Sequence, residues 1–420
     1  MSTTQSSPDH AHVTVLAFPF GCHPWPLLNL TCKLAWATPH VRFSFFNTSK
    51  SNQRLFSTSQ VNLPDNLKAY DVADGVRRVP NGHVFTPDNP IEELELFIKA
   101  APESFGKAMD MAVAEFGRNI SCLLNDAFLA FACEMAQNMH VKWVPFWVPA
   151  PYSLSAHIYT DIIHKTYANA CGNGNGGVVG GLKPIDKTLD VIPGLSTMRI
   201  CDLYDEILQG DSNSSLFSQT LYRMSKVLPQ AGFLTLTLPP PPLPPSHLDT
   251  TGCLPWLDKQ KPTSVAYISF GTLAAALEAS GVPFLWSLRD NFKQILPNEF
   301  LQRTSLQGKI VPWAPQSHVL AHSAVRVTVG EVPMICRPIL GDNMMNGRMV
   351  EAVWGIGVRV EGGVFTKNGM LKSLELVLGH EQGRRMGENI KELKELVVKA
   401  AGPDGIASKD FKTLVEVISK

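Results

Sequence analysis

Short hydrophobic runs alternate with amphipathic helical stretches along the first half of the chain. The runs are almost continuously apolar, whereas in the stretches between them apolar residues recur at helical spacing. Strand patterns cover 12–20, 41–47, 120–125 and 141–147, and helical patterns cover 27–37, 93–116 and 127–140. This alternation predicts a parallel, doubly wound α/β sheet.

A second α/β unit follows a proline-rich segment. The run LPPPPLPP at 238–245 is incompatible with a helix or a central strand and predicts an extended linker. Beyond it, strand patterns at 263–272, 282–290 and 309–315 are again separated by helical pieces. We therefore expect a first domain at 1–237, a linker at 238–262, a second domain at 263–402 and a final amphipathic helix at 403–420 that packs on the first domain. Parallel sheets bind ligands at the carboxyl ends of their strands, so the site is expected in a cleft between the two domains.

One stretch of the second domain breaks the pattern. Residues 324–338, AVRVTVGEVPMICRP, read as two strands joined by a single residue, Glu331. Neighbouring parallel strands need a crossover connection of about a dozen residues or more. A segment is therefore expected to be missing here.

Charge and cysteine content limit the partners and the location. The 420 residues include 37 Lys plus Arg and 37 Asp plus Glu, so the chain carries no basic surface for nucleic acid or an anionic membrane. The run VTVLAFPF is too short for a membrane span and follows no basic segment. The eight cysteines form no CxxC pair, which is typical of reduced thiols. We expect a soluble, cytoplasmic enzyme.

Two polar residues directly follow predicted strands of the first domain. His23 comes after the first strand, and taken alone it could simply be a surface or helix-capping histidine. Asp126 follows ISCLLN, and taken alone it could simply cap the helix at 127–139. Together they predict a base, because a carboxylate that holds one imidazole nitrogen leaves the other to accept a proton from a substrate hydroxyl. No G-x-S-x-G sequence accompanies them, so a hydrolase triad is not supported.

Other candidate motifs predict no site. The sequence GNGNGG at 172–177 follows no strand and opens no helix, so it is read as a loop. His318 and His322 lie four residues apart, without a third ligand, and are read as a polar helix face. We expect no metal.

Long motifs in both halves resemble one enzyme family. WAPQSHVLAHSAV (313–325) and GDNMMNGRMVEAVWGIGVRVEGGVFTK (341–367) resemble the two ends of the signature box of plant family 1 UDP-glycosyltransferases. AFPFGCHPWPLLNL, NDAFLAFACEMA and TTGCLPWLDKQKPTSVAYISFGT resemble the subgroup that glycosylates the 3-hydroxyl of flavonols and anthocyanidins. The resemblance covers nearly the whole chain. It implies the GT-B fold, in which two Rossmann-like domains, one for the acceptor and one for the UDP-sugar, face a cleft.

The resemblance assigns roles residue by residue. His23 matches the catalytic base and Asp126 its orienting partner, while Gly21 and His157 match acceptor-binding positions. Trp313 matches the indole that stacks on uracil, the alternative being a core tryptophan. The remaining positions that match donor-binding residues are Thr272, Ala314, Gln316, Asp342 and Asn343. Asn343 stands where glucosyltransferases usually have Gln and galactosyltransferases His.

The family also has a segment that this chain lacks. Between VRVTVG and VPMICRP the family carries roughly a dozen residues containing H-C-G-W-N-S and ending near a Glu. In the family its histidine and a helix N-terminus hold the diphosphate in place of a metal, and its Glu binds the ribose. Glu331 is no substitute, because it occupies the position of a glycine. The stretch after SFGT and the stretch before the proline run also look short.

The resemblance implies an inverting transfer of a hexose, expected to be glucose, from a UDP-sugar to a flavonoid hydroxyl, expected to be the 3-OH. The UDP-sugar is a co-substrate, no other cofactor is needed, and a monomer is expected. One alternative is a catalytically impaired remnant that binds flavonoids without transfer. Another is a dehydrogenase built on two Rossmann-like domains, although a dinucleotide fingerprint is missing. Bound UDP rather than bound NAD would distinguish these.

Overall fold

The structure is a computed structural model with two compact units. One unit contains residues 1–238 and 402–420, and the other contains residues 239–401. The structure describes residues 11–57, 63–76, 90–171, 186–203, 207–208, 215–231, 249–262, 264–268, 274–294, 296–325, 332–338, 341–360, 364–378 and 381–419.

A five-stranded parallel sheet forms the centre of the first unit. Its strands are β1 (His12–Leu16), β2 (Arg42–Thr48), β3 (Leu67–Val72), β4 (Cys122–Asp126) and β5 (Lys142–Phe146). They lie in the order β3-β2-β1-β4-β5, so β1 pairs with both β2 and β4. Leu16 pairs with Asn125, which brings the carboxyl ends of β1 and β4 side by side.

Helices cover both faces of this sheet. They are α1 (Pro24–Ala37), α2 (Ser49–Ser57), α3 (Pro90–Phe116), α4 (Ala132–Met139), α5 (Pro151–Ile158), α6 (Thr160–Cys171), α7 (Leu216–Val227) and the C-terminal helix (Ile406–Ser419), with short 3-10 turns at Ile200–Asp202 and Leu228–Gln230. On one face α1 and the C-terminal helix pack against β1 and β2, with Leu414 and Ile418 buried in that core. On the other face α3 and α4 pack against Leu16 and Phe46. Lys142 Nζ also donates to the Val417 carbonyl at 2.7 Å.

Two elements of the first unit differ from the sequence predictions. No apolar pattern indicated β3, because it is an edge strand in which only Val72 is buried. The helix predicted from residue 127 begins only at Ala132. Residues 127–131 form turns instead, since the Asp126 carbonyl accepts the Leu129 N–H at 2.9 Å and the Leu129 carbonyl accepts the Ala132 N–H at 2.9 Å.

The second unit contains two small parallel sheets in its described residues. One has the order β6-β7-β8, with β6 (Ala266–Ile268), β7 (Phe284–Ser287) and β8 (Gly308–Val311). The other pairs β9 (Met334–Cys336) with β10 (Gly357–Arg359). The helices are α8 (Cys253–Leu257), α9 (Ala274–Ser280), α10 (Asp290–Lys293), α11 (Phe300–Arg303), α12 (Gln316–Ala321), α13 (Asn343–Arg348), a π-helical turn (Met349–Val353), α14 (Lys367–Leu378) and α15 (Gln382–Ala401). The strand pattern at 326–330 and Glu331 lie outside the described residues.

The second part of the predicted linker is structured. Asp249 accepts the backbone N–H groups of Cys253 at 3.2 Å and Leu254 at 2.8 Å, and this stabilises the first turn of α8. Burial raises the pKa of Asp249, but these donors and the Thr251 hydroxyl outweigh it and lower the pKa to about 2. The segment predicted as a linker, 238–262, therefore contains a short helix at 253–257, and the proline run itself lies outside the described residues. Within the described chain, no helix has both the length and the apolar character that a bilayer crossing requires.

Candidate active site

His23 lies in the turn that connects β1 to α1. Gly21 in this turn has φ +60°, a left-handed conformation that glycine adopts without strain. Pro24 occupies the first helical position, where a missing N–H is tolerated. His23 stands at the N-cap position, but its side chain makes no capping hydrogen bond. The helix-capping interpretation of this histidine is therefore wrong.

The structure brings Asp126 against His23, although the two residues are 103 positions apart in sequence. Asp126 Oδ2 lies 2.8 Å from His23 Nδ1, and the carboxylate is only 1% exposed, against 14% for the histidine side chain. The other oxygen, Oδ1, accepts the backbone N–H of Phe128 at 3.0 Å. Since α4 begins at Ala132 with Phe131 at its N-cap, Asp126 does not cap that helix.

This contact determines which imidazole nitrogen can act as a base. An ionised carboxylate only accepts hydrogen bonds, so His23 Nδ1 carries a proton and donates a hydrogen bond to Asp126. The neutral imidazole then has an unprotonated Nε2, which can accept a proton. The carboxylate also stabilises the imidazolium that forms. The pair can therefore act as a general base of the histidine–carboxylate type.

Aromatic rings surround the pair. The His23 ring lies 5.2 Å from that of Phe18 and 4.6 Å from that of Phe128. Phe128 contacts Trp147 at 5.8 Å and also lines a cavity of about 300 Å³. These rings form an apolar, flat-sided environment next to the base, which suits an aromatic ligand.

His157, on α5, belongs to the same aromatic group. Its ring lies 5.4 Å from that of Trp147, and the residue is almost completely buried. Burial lowers the pKa of His157 to about 3. This imidazole is therefore neutral at physiological pH.

Trp313 follows β8 and precedes α12 in the second unit. Its residue surface is 51% exposed, so the interpretation as a core tryptophan is wrong. Ala314 is buried beside it, and Gln316 is exposed at the first position of α12. An exposed indole with a neighbouring carboxamide can stack on a planar base and hydrogen-bond its edge.

The other predicted donor residues are only partly described. Asp342 stands at the N-cap position of α13, where Oδ2 accepts from Asn346 Nδ2 at 3.1 Å. Asn343 is exposed at the first position of that helix. Thr272 and the GNGNGG stretch lie outside the described residues.

His318 lies on α12, whereas His322 stands at its C-cap position, and the two histidines have different surroundings. His322 Nε2 lies 3.0 Å from Asp258 Oδ1, and its Nδ1 accepts the Ala324 N–H at 3.1 Å. His318 is half-buried. Among the described residues, no three His, Cys, Asp or Glu side chains are grouped to hold a metal ion.

The sequence reasoning missed Asn125, which precedes Asp126 on β4 and is completely buried. Its signal was a carboxamide at the end of an otherwise apolar strand. Phe128 was likewise missed, since a phenylalanine in an apolar stretch gives no indication of contact with a histidine.

Comparison with known proteins places the chain among sugar transferases. Residues 268–398 match the family model described as UDP-glucoronosyl and UDP-glucosyl transferase. An anthocyanidin 3-O-glucosyltransferase of Vitis vinifera is 45% identical over 100% of this chain and 99% of its own length. The chain belongs to the UDP-glycosyltransferase family. A flavonol 3-O-glucosyltransferase and an anthocyanidin 3-O-galactosyltransferase of Actinidia chinensis are 42% and 44% identical, covering 98% and 100% of this chain and 98% and 99% of their own lengths.

Solved structures of the family confirm the fold class. The crystal structure of a UDP-glucose: anthocyanidin 3-O-glucosyltransferase in complex with UDP is 37% identical and superimposes with a TM-score of 0.86. It covers 98% of this chain and 100% of its own. The predicted GT-B class, with two Rossmann-like parallel-sheet units, is therefore correct.

This UDP-glycosyltransferase is shorter than its relatives, and the difference is internal. The alignment with the Vitis vinifera enzyme has 473 positions, whereas this chain has 420 residues, so at least 53 positions of the alignment have no residue here. Because the alignment covers nearly the full length of both proteins, these missing positions include internal segments.

Proposed function

We propose that this UDP-glycosyltransferase moves a hexose, expected to be glucose, from a UDP-sugar to the 3-hydroxyl of a flavonol or anthocyanidin. The observation that carries the proposal is the 2.8 Å contact between His23 Nδ1 and the buried carboxylate of Asp126. The aromatic rings beside it suit a flavonoid, and the similar enzymes act on anthocyanidins and flavonols.

The reaction follows from the chemistry of the pair. His23 Nε2 takes the proton of the flavonoid hydroxyl, and the oxygen attacks the anomeric carbon of the sugar from the face opposite UDP. The new glycosidic bond forms as the bond to the UDP phosphate oxygen breaks, which inverts the anomeric configuration. Asp126 stabilises the imidazolium until its proton is released. Gly21 and His157 are proposed to contact the acceptor.

The proposed donor residues belong to the second unit. Trp313 stacks on the uracil, and Ala314 and Gln316 bind the base and ribose. Asp342 and Asn343 bind the sugar hydroxyls, and Thr272 contacts a phosphate. Asn343 leaves the choice between glucose and galactose to experiment, in keeping with relatives of both kinds. We propose a cytoplasmic location because the eight cysteines include no CxxC pair and fit reduced thiols.

The missing positions favour one second candidate, a protein that binds flavonoids but transfers sugar slowly or not at all. At least 53 alignment positions are absent, and the stretch around Glu331 lacks the residues that hold the diphosphate in the family. The first unit, which carries the His23–Asp126 pair, has a five-stranded sheet in its described residues. Acceptor binding is therefore expected whether or not transfer is efficient.

The test is His23→Ala in the full chain, assayed with UDP-glucose and a flavonol by chromatography of the glycoside. Loss of a positioned base should lower the rate about 10² to 10⁴-fold, while quenching of tryptophan fluorescence still reports flavonol binding. His40→Ala, an exposed histidine of the same unit, is the matched control and should keep the full rate. Retention of more than a tenth of the activity by His23→Ala would rule out the base assignment. Flavonol binding without any transfer by the unmodified chain would favour the second candidate.

A further inference from the structure

Asn125 makes hydrogen bonds with every polar group of its side chain. Nδ2 donates to the Asp126 carbonyl at 2.7 Å and to the Leu129 carbonyl at 3.3 Å. Oδ1 accepts from the indole Nε1 of Trp143 at 2.8 Å. The residue is completely buried, so these three bonds replace all its contact with water.

The two donated bonds fix the turn that carries Asp126. The Asp126 carbonyl accepts both from Asn125 and from the Leu129 N–H, which closes the turn across residues 126–129. Inside the same turn, the Phe128 N–H binds Oδ1 of the Asp126 carboxylate. Oδ2 is thereby directed to His23. Asn125 thus holds the backbone on which the orientation of the carboxylate depends.

Trp143 connects this turn to the neighbouring strand. In the β4–β5 pairing Trp143 lies opposite Leu123, and Asn125 lies opposite Pro145, which has no N–H to donate. An apolar residue at position 125 would leave the indole N–H without Oδ1 and two turn carbonyls without Nδ2. A satisfied buried network of this kind specifies one geometry.

We propose that Asn125 is a positioning residue for the His23–Asp126 pair. It acts through the turn at 126–129, keeping the carboxylate in place so that His23 stays protonated on Nδ1 and keeps Nε2 as the proton acceptor. The inference rests on the proposed role of His23 as the base. Asn125 itself does not contact His23 among the hydrogen bonds described.

The experiment measures the tautomer of His23 directly, in the full chain and without any need for transfer activity. The protein is labelled with ¹⁵N-histidine, the ring nitrogen signals are recorded at pH 8, and His23 is assigned by the signal lost in His23→Gln. Asn125→Leu removes the polar groups and keeps the same number and branching of side-chain heavy atoms. We expect one Nδ1–H tautomer in the unmodified protein and a mixture of both tautomers in Asn125→Leu.

A second buried asparagine provides the matched control. Asn52 donates to the Tyr70 carbonyl at 3.0 Å and to Asp71 Oδ1 at 2.7 Å, beside the edge strand β3. Asn52→Leu should lower the melting temperature as Asn125→Leu does, but should leave the His23 tautomer unchanged. Trp143→Phe removes the indole donor and part of the ring but leaves the Asn125 side chain in place, and a smaller population of the second tautomer is expected there.

The outcomes separate a positioning role from a structural one. If Asn125→Leu melts at a lower temperature yet keeps His23 entirely in the Nδ1–H form, the proposal is overturned. If Asn125→Leu does not fold, Trp143→Phe decides, and an unchanged tautomer in that variant also overturns it. Where transfer is measurable, kcat should fall at least tenfold with little change in KM for the flavonol. Failure of the base assignment would show instead as activity retained by His23→Ala.

Discussion

Replacing Asp126 by asparagine tests the proposed base with almost no change in shape. The Phe128 N–H, 3.0 Å from Oδ1, is a fixed donor, so the amide oxygen of the new side chain must stay on that side. The amide NH₂ then faces His23 Nδ1, where the carboxylate oxygen lay at 2.8 Å. The imidazole can only accept this hydrogen bond by moving its proton to Nε2. His23 would then have no basic nitrogen for the flavonoid hydroxyl.

The expected loss follows from that change of tautomer. A positioned general base contributes about 10² to 10⁴ in rate, which corresponds to about 3 to 5 kcal/mol of activation free energy. The assay is formation of flavonol glycoside at saturating UDP-glucose, in the natural chain and in a version with the missing segment restored at Glu331. Asp71→Asn is the control. Asp71 lies on the edge strand β3, away from β1 and β4, and its carboxylate accepts a hydrogen bond from Asn52. This replacement should have no effect on the transfer rate. A rate for Asp126→Asn within threefold of the parent would refute the reasoning.

Four further outcomes are expected. Inserting at Glu331 the segment that the family is expected to carry there should raise turnover about a hundredfold or more, since a single preorganised donor to a developing negative charge is worth that much. Equal rates would show that the diphosphate is held by other means. Trp313→Ala should weaken UDP binding about tenfold in calorimetry, through loss of base stacking, and unchanged affinity would remove Trp313 from the site. Limited proteolysis should cut the second unit before the first, because its sheets are small. Among the described residues it also contains two of the three buried side-chain atoms without a hydrogen-bond partner, Trp286 Nε1 and His318 Nδ1. Earlier cleavage in the first unit would contradict this. Below pH 6.5 the imidazole of His157 binds a proton in the unfolded state but stays neutral in the folded state, because its folded pKa is about 3. As the pH is lowered from 6.5 towards 3, His157 should therefore decrease the free energy of unfolding, measured in urea, by about 1.4 kcal/mol per pH unit. That slope should be smaller in His157→Gln, and an unchanged slope would assign it to other groups.

The sequence by itself determined the class of the fold and the candidates for the base. The runs HVTVL and CLL are mostly apolar because β1 and β4 are covered by helices on both faces, and this burial leaves a pattern that can be read without coordinates. The family motifs also predicted the UDP-glycosyltransferase family, which the comparison with relatives confirms. The edge strand β3 left no such pattern, since all its residues except Val72 are at least partly exposed.

The tertiary structure alone decided how the candidate site is assembled. His23 and Asp126 meet because β1 and β4 are neighbours in the sheet, a pairing between segments far apart in sequence that local pattern does not specify. Whether Trp313 is exposed or buried depends on which side of its turn packs against the rest of the unit. Its neighbours in sequence are compatible with both an exposed indole and a core tryptophan. The Asn125 hydrogen bonds depend on the register of β4 and β5 and on a turn where a helix was predicted. The spacing of apolar residues along the sequence specifies whether a segment forms a helix or a strand. Contacts between helices and strands are instead determined by the packing of the whole unit.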